Sequence, residues 1–183
     1  MAKKKSTKLN LVNVVCALVA LVAVILFVCL PMVKSTLGNE GNQIVTIYKG
    51  FGMIFGGNVN ADVTTTLTIG NSVSTRADVA TIENVAFNTM AFVSMLLVVL
   101  GVALTFVVTF VKQVKGNKLF TLVAAALLVV GGILMFTVKG SSLTALDSVK
   151  AAEYFSLAVG PILAGILSIL AGAGIVAYPV LKK

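Results

Sequence analysis

Acidic side chains with regular spacing are the first candidates for chemistry, and Asp147 and Glu153 flank Lys150 at offsets of three residues. Such offsets place side chains on one face of a helix, where opposite charges form a solvated ion pair more often than a general acid-base pair. The other acids are scattered along the chain. The spacing therefore favours an ion-paired surface, and we expect no catalytic residues.

Histidine is absent from the 183 residues, and the two cysteines, Cys16 and Cys29, share one apolar stretch. Without histidine, the commonest metal ligand and the usual general base near neutral pH are missing, which argues against zinc, haem and Ser-His-Asp chemistry. On a helix the cysteines would lie about 20 Å apart, too far for a disulfide. We expect no metal site and no cofactor, and interpret the cysteines as small apolar membrane residues.

The segment from Tyr48 to Gly57 combines aromatic residues and methionine with glycines. It lacks the strand-loop-helix setting and the Lys-Ser/Thr ending of a phosphate-binding loop. We expect its apolar side chains to pack an outer sheet onto the membrane interface, with an exposed hydrophobic contact surface as the alternative. This candidate outer contact segment comprises Tyr48, Phe51, Met53, Ile54 and Phe55.

The elements that position these residues are predicted to cross a membrane, because 58% of the chain is hydrophobic and only 11% is charged. About 20 apolar residues span a hydrocarbon core, and four charge-free stretches reach that length. The first is too long for a cleavable signal peptide and is interpreted as a signal anchor. We predict one membrane domain, residues 1–183, with spans at Leu11 to Val33, Ala86 to Val111, Leu119 to Val138 and Leu157 to Leu181.

Charge placement predicts the orientation of these spans. One side holds nine cations and no anion: Lys3, Lys4, Lys5, Lys8, Lys112, Lys115, Lys118, Lys182 and Lys183. The other side holds every acid in the chain: Glu40, Asp62, Asp78, Glu83, Asp147 and Glu153. The positive-inside rule puts both termini in the cytoplasm and both longer connections outside the cell membrane. The formal net charge of +8 is thus a topology signal, and we expect no nucleic-acid partner.

The first outer connection, Lys34 to Val85, is too long for a plain loop and carries β-branched runs. We predict two to four short antiparallel strands, with Val63, Leu67 and Ile69 facing inward and turns at Gly56-Gly57-Asn58 and Gly70-Asn71. Ala77 to Val85 is predicted to form a helical turn. The second outer connection, Lys139 to Ser156, is predicted to contain a short amphipathic helix from Ala145 to Phe155.

Small residues recur every four positions along the last span and predict a groove for close helix packing. Packing within the bundle is favoured, and docking of a second protein or copy is the alternative. Hydroxyl and amide groups at Asn13, Ser94, Thr105, Thr109, Thr121 and Ser168 are interpreted as helix-helix or back-bonded groups. The groove comprises Gly160, Ala164, Ser168 and Gly172.

Lysine-capped spans together with the Tyr48 to Gly57 segment resemble small uncharacterised four-helix membrane proteins of bacteria. More distantly, the layout is similar to that of claudin-type tetraspans, in which the first outer loop forms a small sheet. The claudin loop signature uses Trp and a cysteine pair, whereas this chain has neither Trp nor an outer-loop cysteine. Lateral barrier-strand assembly is therefore not implied.

These observations predict a membrane all-α fold: an antiparallel four-helix transmembrane bundle with a small extracytoplasmic β-rich cap between the first two helices. The expected function is that of a structural or protein-interaction subunit, such as a scaffold or accessory protein. Its expected partners are the lipid bilayer and another membrane protein or a second copy. The alternative is a small channel or transporter subunit working as an oligomer, but no ionisable residue lies inside a span to couple ions.

Overall fold

The computed structural model of the protein describes residues 2–39, 42–69, 71–111, 114, 117–147 and 149–181. Within these residues there are five α-helices and a 3₁₀ helix at Val149–Tyr154. The α-helices are α1 (Ala2–Cys29), α2 (Gly50–Phe55), α3 (Thr89–Phe110), α4 (Lys118–Ala145) and α5 (Val159–Leu181).

Five strands form one antiparallel sheet in the order β4-β3-β2-β1-β5. Neighbours along the chain pair as hairpins, whereas β5 reaches the sheet from the second connection and pairs with β1. The strands are β1 (Pro31–Asn39), β2 (Asn42–Lys49), β3 (Gly57–Ile69), β4 (Ser72–Val85) and β5 (Phe155–Leu157).

Four helices are long and apolar enough to cross a membrane, as the hydropathy pattern predicted. The shortest candidate spans have 19 residues, or about 28 Å of helix, close to the thickness of a hydrocarbon core. Their composition supports a membrane protein. The candidate spans are Leu11–Cys29, Thr89–Phe110, Lys118–Ala145 and Val159–Ala177.

The predicted fold class, an all-α four-helix bundle with a small β-rich cap, is wrong. The structure is a mixed α/β fold, 62% helical and 30% strand, with a five-stranded sheet. The prediction of two to four short strands underestimated the sheet, because only two β-branched runs stand out in the sequence. In the structure β3 and β4 extend over 13 and 14 residues and pair along nearly their whole length.

Three local predictions also differ from the structure. Pro31 to Val33, predicted as the end of the first span, belongs to β1, since the helix ends at Cys29. Ala77 to Val85, predicted as a helical turn, lies in β4, where pairing with β3 overrides weak local preference. In the second outer connection α4 continues to Ala145, and a 3₁₀ helix and β5 follow in place of the predicted helix from Ala145 to Phe155.

One face of the sheet is covered near one end and open near the other. Val33, Tyr48 and Ala61 occupy one row across β1, β2 and β3 and are buried. Further along β3 on the same face, Leu67 is 48% exposed and Ile69 is 79% exposed. The alternation predicted which residues share a face, but the expectation that Leu67 and Ile69 are buried is wrong.

The described chain divides into two compact units, each with its own core. The first contains Met1–Leu26, Val93–Met135 and Leu163–Lys183, and the second contains Phe27–Phe92 and Phe136–Ile162. In the first unit, glycines allow close helix contact: a Cβ on Gly101 would lie 2.8 Å from the Leu128 side chain. The second unit contains the whole sheet.

Some predicted features lie outside the described residues. These are the turn residue Gly70, the acid Glu40, and the cations Lys112, Lys115, Lys182 and Lys183.

Candidate contact surface

The outer contact segment folds as the end of β2 followed by α2, and its side chains point in two directions. Met53 and Ile54 are fully buried, and Tyr48 is 8% exposed and stacks on Phe155 with ring centroids 5.8 Å apart. In contrast, Phe51 is 63% exposed and Phe55 is 40% exposed. The segment therefore contributes both to the core of the second unit and to its surface.

Two phenylalanines, one just before α3 and one in its first turn, extend the exposed part of this segment. Phe51 contacts Phe55 at a centroid distance of 4.9 Å, and Phe55 contacts Phe92 edge-on at 6.2 Å. Phe92 in turn contacts Phe87 at 5.3 Å. We call these four residues, Phe51, Phe55, Phe87 and Phe92, the phenylalanine cluster.

The backbone of α2 is held tightly against its neighbours. The N–H of Gly50 donates to the carbonyl of Leu30 at 3.1 Å, and a Cβ on Gly50 would lie within 3 Å of several carbonyl oxygens at the end of α1. Gly56 has a φ of 74°, in the region that glycine tolerates, and lies close to the Val85 carbonyl. These contacts fix the helix that presents Phe51 and Phe55.

A buried polar network lies beside this helix and was not singled out from the sequence. The Asn88 Nδ2 donates to Ser142 Oγ at 3.1 Å, and the Ser142 hydroxyl donates to the Met32 sulfur at 3.5 Å. The Asn88 N–H donates to the carbonyl of Ile54, the penultimate residue of α2. Asn88 lies near the start of the predicted span Ala86 to Val111, and Asn is a typical N-cap residue, which is the signal that could have placed the helix start at Thr89.

The small-residue groove of α5 is buried. In the first unit, Ala164 and Ser168 are fully buried, and a Cβ on Gly172 would lie 2.8 Å from the Ala125 carbonyl of α4. In the second unit, Gly160 lies against the carbonyl of Pro31. The four residues therefore face other parts of this chain, and the alternative of an outward docking groove has no exposed surface there.

Hydroxyl groups in the apolar helices bond mainly to their own backbone. Thr105 and Thr109 donate to carbonyls one turn earlier at 2.8 and 2.7 Å, and Thr121 does the same at 2.9 Å. This confirms the interpretation of these three threonines as back-bonded groups. Two other polar atoms, Asn13 Oδ1 and Ser168 Oγ, are buried without a hydrogen-bond partner among the described residues.

Two charged pairs of the second unit lie on its surface, and no metal-binding cluster occurs within the described chain. Lys49 and Asp62 pair at 3.2 Å with both side chains about half exposed, and Arg76 pairs with Asp78 at 3.0 Å. Burial raises the pKa of the Tyr48 phenol, against the smaller opposing effect of its hydrogen bond with Ser35.

The two acids that could have supported acid-base chemistry are also exposed. Asp147 has a positive φ of 51° just beyond α4. Glu153 lies next to Tyr154 and raises the pKa of that phenol through a hydrogen bond and its negative charge. This arrangement offers no pair of carboxylates in a cleft.

The sequence was compared with known protein families and with curated proteins. No family model matches the chain. No curated protein matches it significantly. The geometry of the molecule itself is therefore the basis for its function.

Proposed function

We propose that the protein is an integral membrane scaffold or accessory subunit that binds another membrane protein through the phenylalanine cluster, and that it is not an enzyme. The observation that carries this proposal is the exposure of Phe51 and Phe55 on a helix whose Met53 and Ile54 are fully buried. Exposed apolar patches on a fixed support are typical of protein contacts, and aromatic residues dominate the binding energy of such contacts.

The chemistry of the cluster favours a protein partner over the lipid interface alone. Tyr and Trp suit the membrane-water interface because one end of each ring system bears a polar group. The phenylalanine cluster has four rings without such a group, two of which lie at or before the first turn of α3. An apolar surface of another membrane protein matches four Phe rings better than a hydrated headgroup layer does.

We also propose the cell membrane as the location, with both termini in the cytoplasm. The charge asymmetry of the sequence supports this orientation, since nine cations without an anion fall on the side of the termini. The sheet and the phenylalanine cluster would then face outward, so the partner would be recognised on the extracytoplasmic side.

Photo-crosslinking in native membranes tests the proposal. Phe51 is replaced by a benzophenone amino acid, which keeps an aromatic ring and reacts with neighbouring C–H bonds on illumination. We expect a protein adduct of defined mass. The matched control is the same replacement at Phe110 of α3, which is 64% exposed against 63% for Phe51; it should give lipid adducts.

Lipid adducts alone at Phe51 would show that the cluster is a lipid anchor and would overturn the proposal. Vesicles containing the purified protein address the alternative function, a small channel or transporter subunit. Protein-dependent ion or solute flux across such vesicles would favour that alternative. We expect no flux, because the hydroxyls of Thr105 and Thr109 in α3 are bonded to the backbone of their own helix.

A further inference from the structure

Strand β4 forms one edge of the sheet and is exposed along most of its length. Every residue from Ser72 to Thr81 is exposed, including Val73 at 67% and Val79 at 63%. One edge of β4 pairs with β3, and no described strand pairs with the other. Backbone donors and acceptors along this free edge are available to another strand.

The β4 edge lacks several features that usually prevent edge-to-edge pairing, and its two charged residues between Ser72 and Ile82, Arg76 and Asp78, have opposite signs. From Ser72 to Ile82 it contains neither proline nor lysine, and its register with β3 is regular. The irregularity lies at the other end, where Asn84 has a φ of 59°. The opposite edge of the sheet, β5, is only three residues long, and such short edges are protected by their length.

The charges on this strand specify one way for two copies to pair. Residues directly opposite each other in an antiparallel pair share a face of the sheet. In a symmetric pair of identical strands, the two-fold axis must therefore lie midway between one residue and the same residue of the second copy. An axis at Arg76 opposes two arginines, and an axis at Asp78 opposes two aspartates. An axis at Ala77 places Arg76 opposite the partner's Asp78 and Asp78 opposite the partner's Arg76, so both contacts are attractive.

We propose that β4 binds the β4 strand of a second copy of this chain, antiparallel and centred on Ala77, to form a continuous sheet. Arg76 and Asp78 already approach each other along one strand at 3.0 Å, and their side chains are 82% and 65% exposed. They are therefore free to exchange this contact for one across the new strand pair. The proposal is independent of the phenylalanine cluster, which involves no residue of β4.

Cysteine crosslinking of the full-length protein in detergent micelles tests the register. Thr75, Ala77 and Thr81 lie on the same face of β4 and are all exposed, so they can be replaced by cysteine one at a time. Only Ala77→Cys puts two thiols directly opposite each other, and we expect it to form a disulfide-linked dimer under mild oxidation. Thr75→Cys and Thr81→Cys should form little dimer, like the wild-type protein. Equal crosslinking at all three positions, or none at Ala77, would overturn the proposed register.

Mixing charge variants tests the contact itself. Arg76→Asp places aspartates opposite aspartates, and Asp78→Arg places arginines opposite arginines. Each variant alone should dimerise roughly ten- to a hundredfold more weakly than the wild type. Mixed together, they restore both opposite-charge contacts, so we expect heterodimers of near wild-type affinity, measured by energy transfer between labelled copies.

A defect in folding cannot explain restored dimerisation in the mixture. Each chain carries the same substitution whether it is measured alone or mixed with the other variant, so a misfolded chain would stay misfolded. Unchanged melting temperatures of the two variants would confirm that the folded chains are intact. A monomeric wild type at all accessible concentrations, undiminished dimers of either variant, or failure of the mixture to form heterodimers would each overturn the proposal.

Discussion

Asn88 and Ser142 are 54 residues apart in sequence and join two apolar helices through a buried hydrogen bond of 3.1 Å. Each side chain is 1% exposed. Asn88 also caps α3, because its Oδ1 accepts a hydrogen bond from the N–H of Ala91 at 3.1 Å. One amide side chain therefore both starts a helix and connects it to α4.

Replacing Asn88 should destabilise the protein strongly. Asn88→Ala removes the cap and leaves the Ser142 hydroxyl without its amide donor, for a combined loss of about 2–3 kcal/mol in the free energy of unfolding. Asn88→Ser keeps a capping oxygen but is too short to reach Ser142, so its loss should be smaller. Thermal unfolding in detergent measures both. The matched control is Asn60→Ala, at an exposed amide bonded to Thr81, which should change stability by less than about 0.5 kcal/mol.

Two glycines in apolar helices should respond to alanine in opposite directions. A Cβ on Gly172 would lie 2.8 Å from both the Ala125 carbonyl and the Val129 side chain, so Gly172→Ala should cost about 1–3 kcal/mol through overpacking. A Cβ on Gly140 would meet nothing within 4 Å, so Gly140→Ala should gain up to about 1 kcal/mol from helix propensity. Chemical unfolding in mixed micelles compares them. Equal effects of the two substitutions would show that α4 and α5 do not pack closely at Gly172.

Alkaline pH should destabilise the sheet through Tyr48. Its pKa is raised by burial, so the folded state holds the phenol proton more tightly than the unfolded state does. The resulting stability is fully present below the ordinary phenol pKa of about 10 and is lost as the pH rises through the higher folded value. Tyr48→Phe should therefore flatten the decline in melting temperature above pH 10. Tyr154→Phe, at a phenol 45% exposed, should flatten it less; the reverse order would contradict the assignment.

Reporter fusions should test the proposed orientation. A reporter active only in the cytoplasm should work at Met1 and after Lys183 and fail when inserted at Asn58, which lies at the exposed start of β3. The physical reason is the retention of lysine-rich flanks on the cytoplasmic side. An active reporter at Asn58 would reverse the orientation of the sheet and of the phenylalanine cluster.

The spanning helices were predictable because a run of apolar residues is a local signal that needs no partner. The sheet was less so. β4 reads as an undistinguished polar segment from Ser72 to Val85 and becomes a strand because β3 lies beside it. β5 has only three residues, and its pairing with β1 joins Val33 to Leu157, positions that no local pattern connects.

The sequence predicted which segment forms the contact surface, but it did not predict which side chains come together there or which of them are exposed. The sequence identified Phe51 and Phe55 as apolar residues near the membrane, but it did not bring Phe87 and Phe92 to them. Nor did the hydropathy pattern separate Met53 and Ile54, which are fully buried, from their exposed neighbours. The direction of each side chain depends on the short helix α2, whose glycine-rich sequence predicts turns as readily as a helix.

The pairing of Val33 with Leu157 also constrains how the chain is made in the cell. β1 is synthesised well before β5, the strand that covers its outer edge, because β2, β3, β4, α3 and α4 lie between them in the chain. At about 5–20 residues per second, roughly 6–25 seconds separate the two events. During that time the nascent protein carries an unfinished sheet, so its biogenesis should depend on the insertion machinery or a chaperone to keep β1 from premature association until β5 has been synthesised.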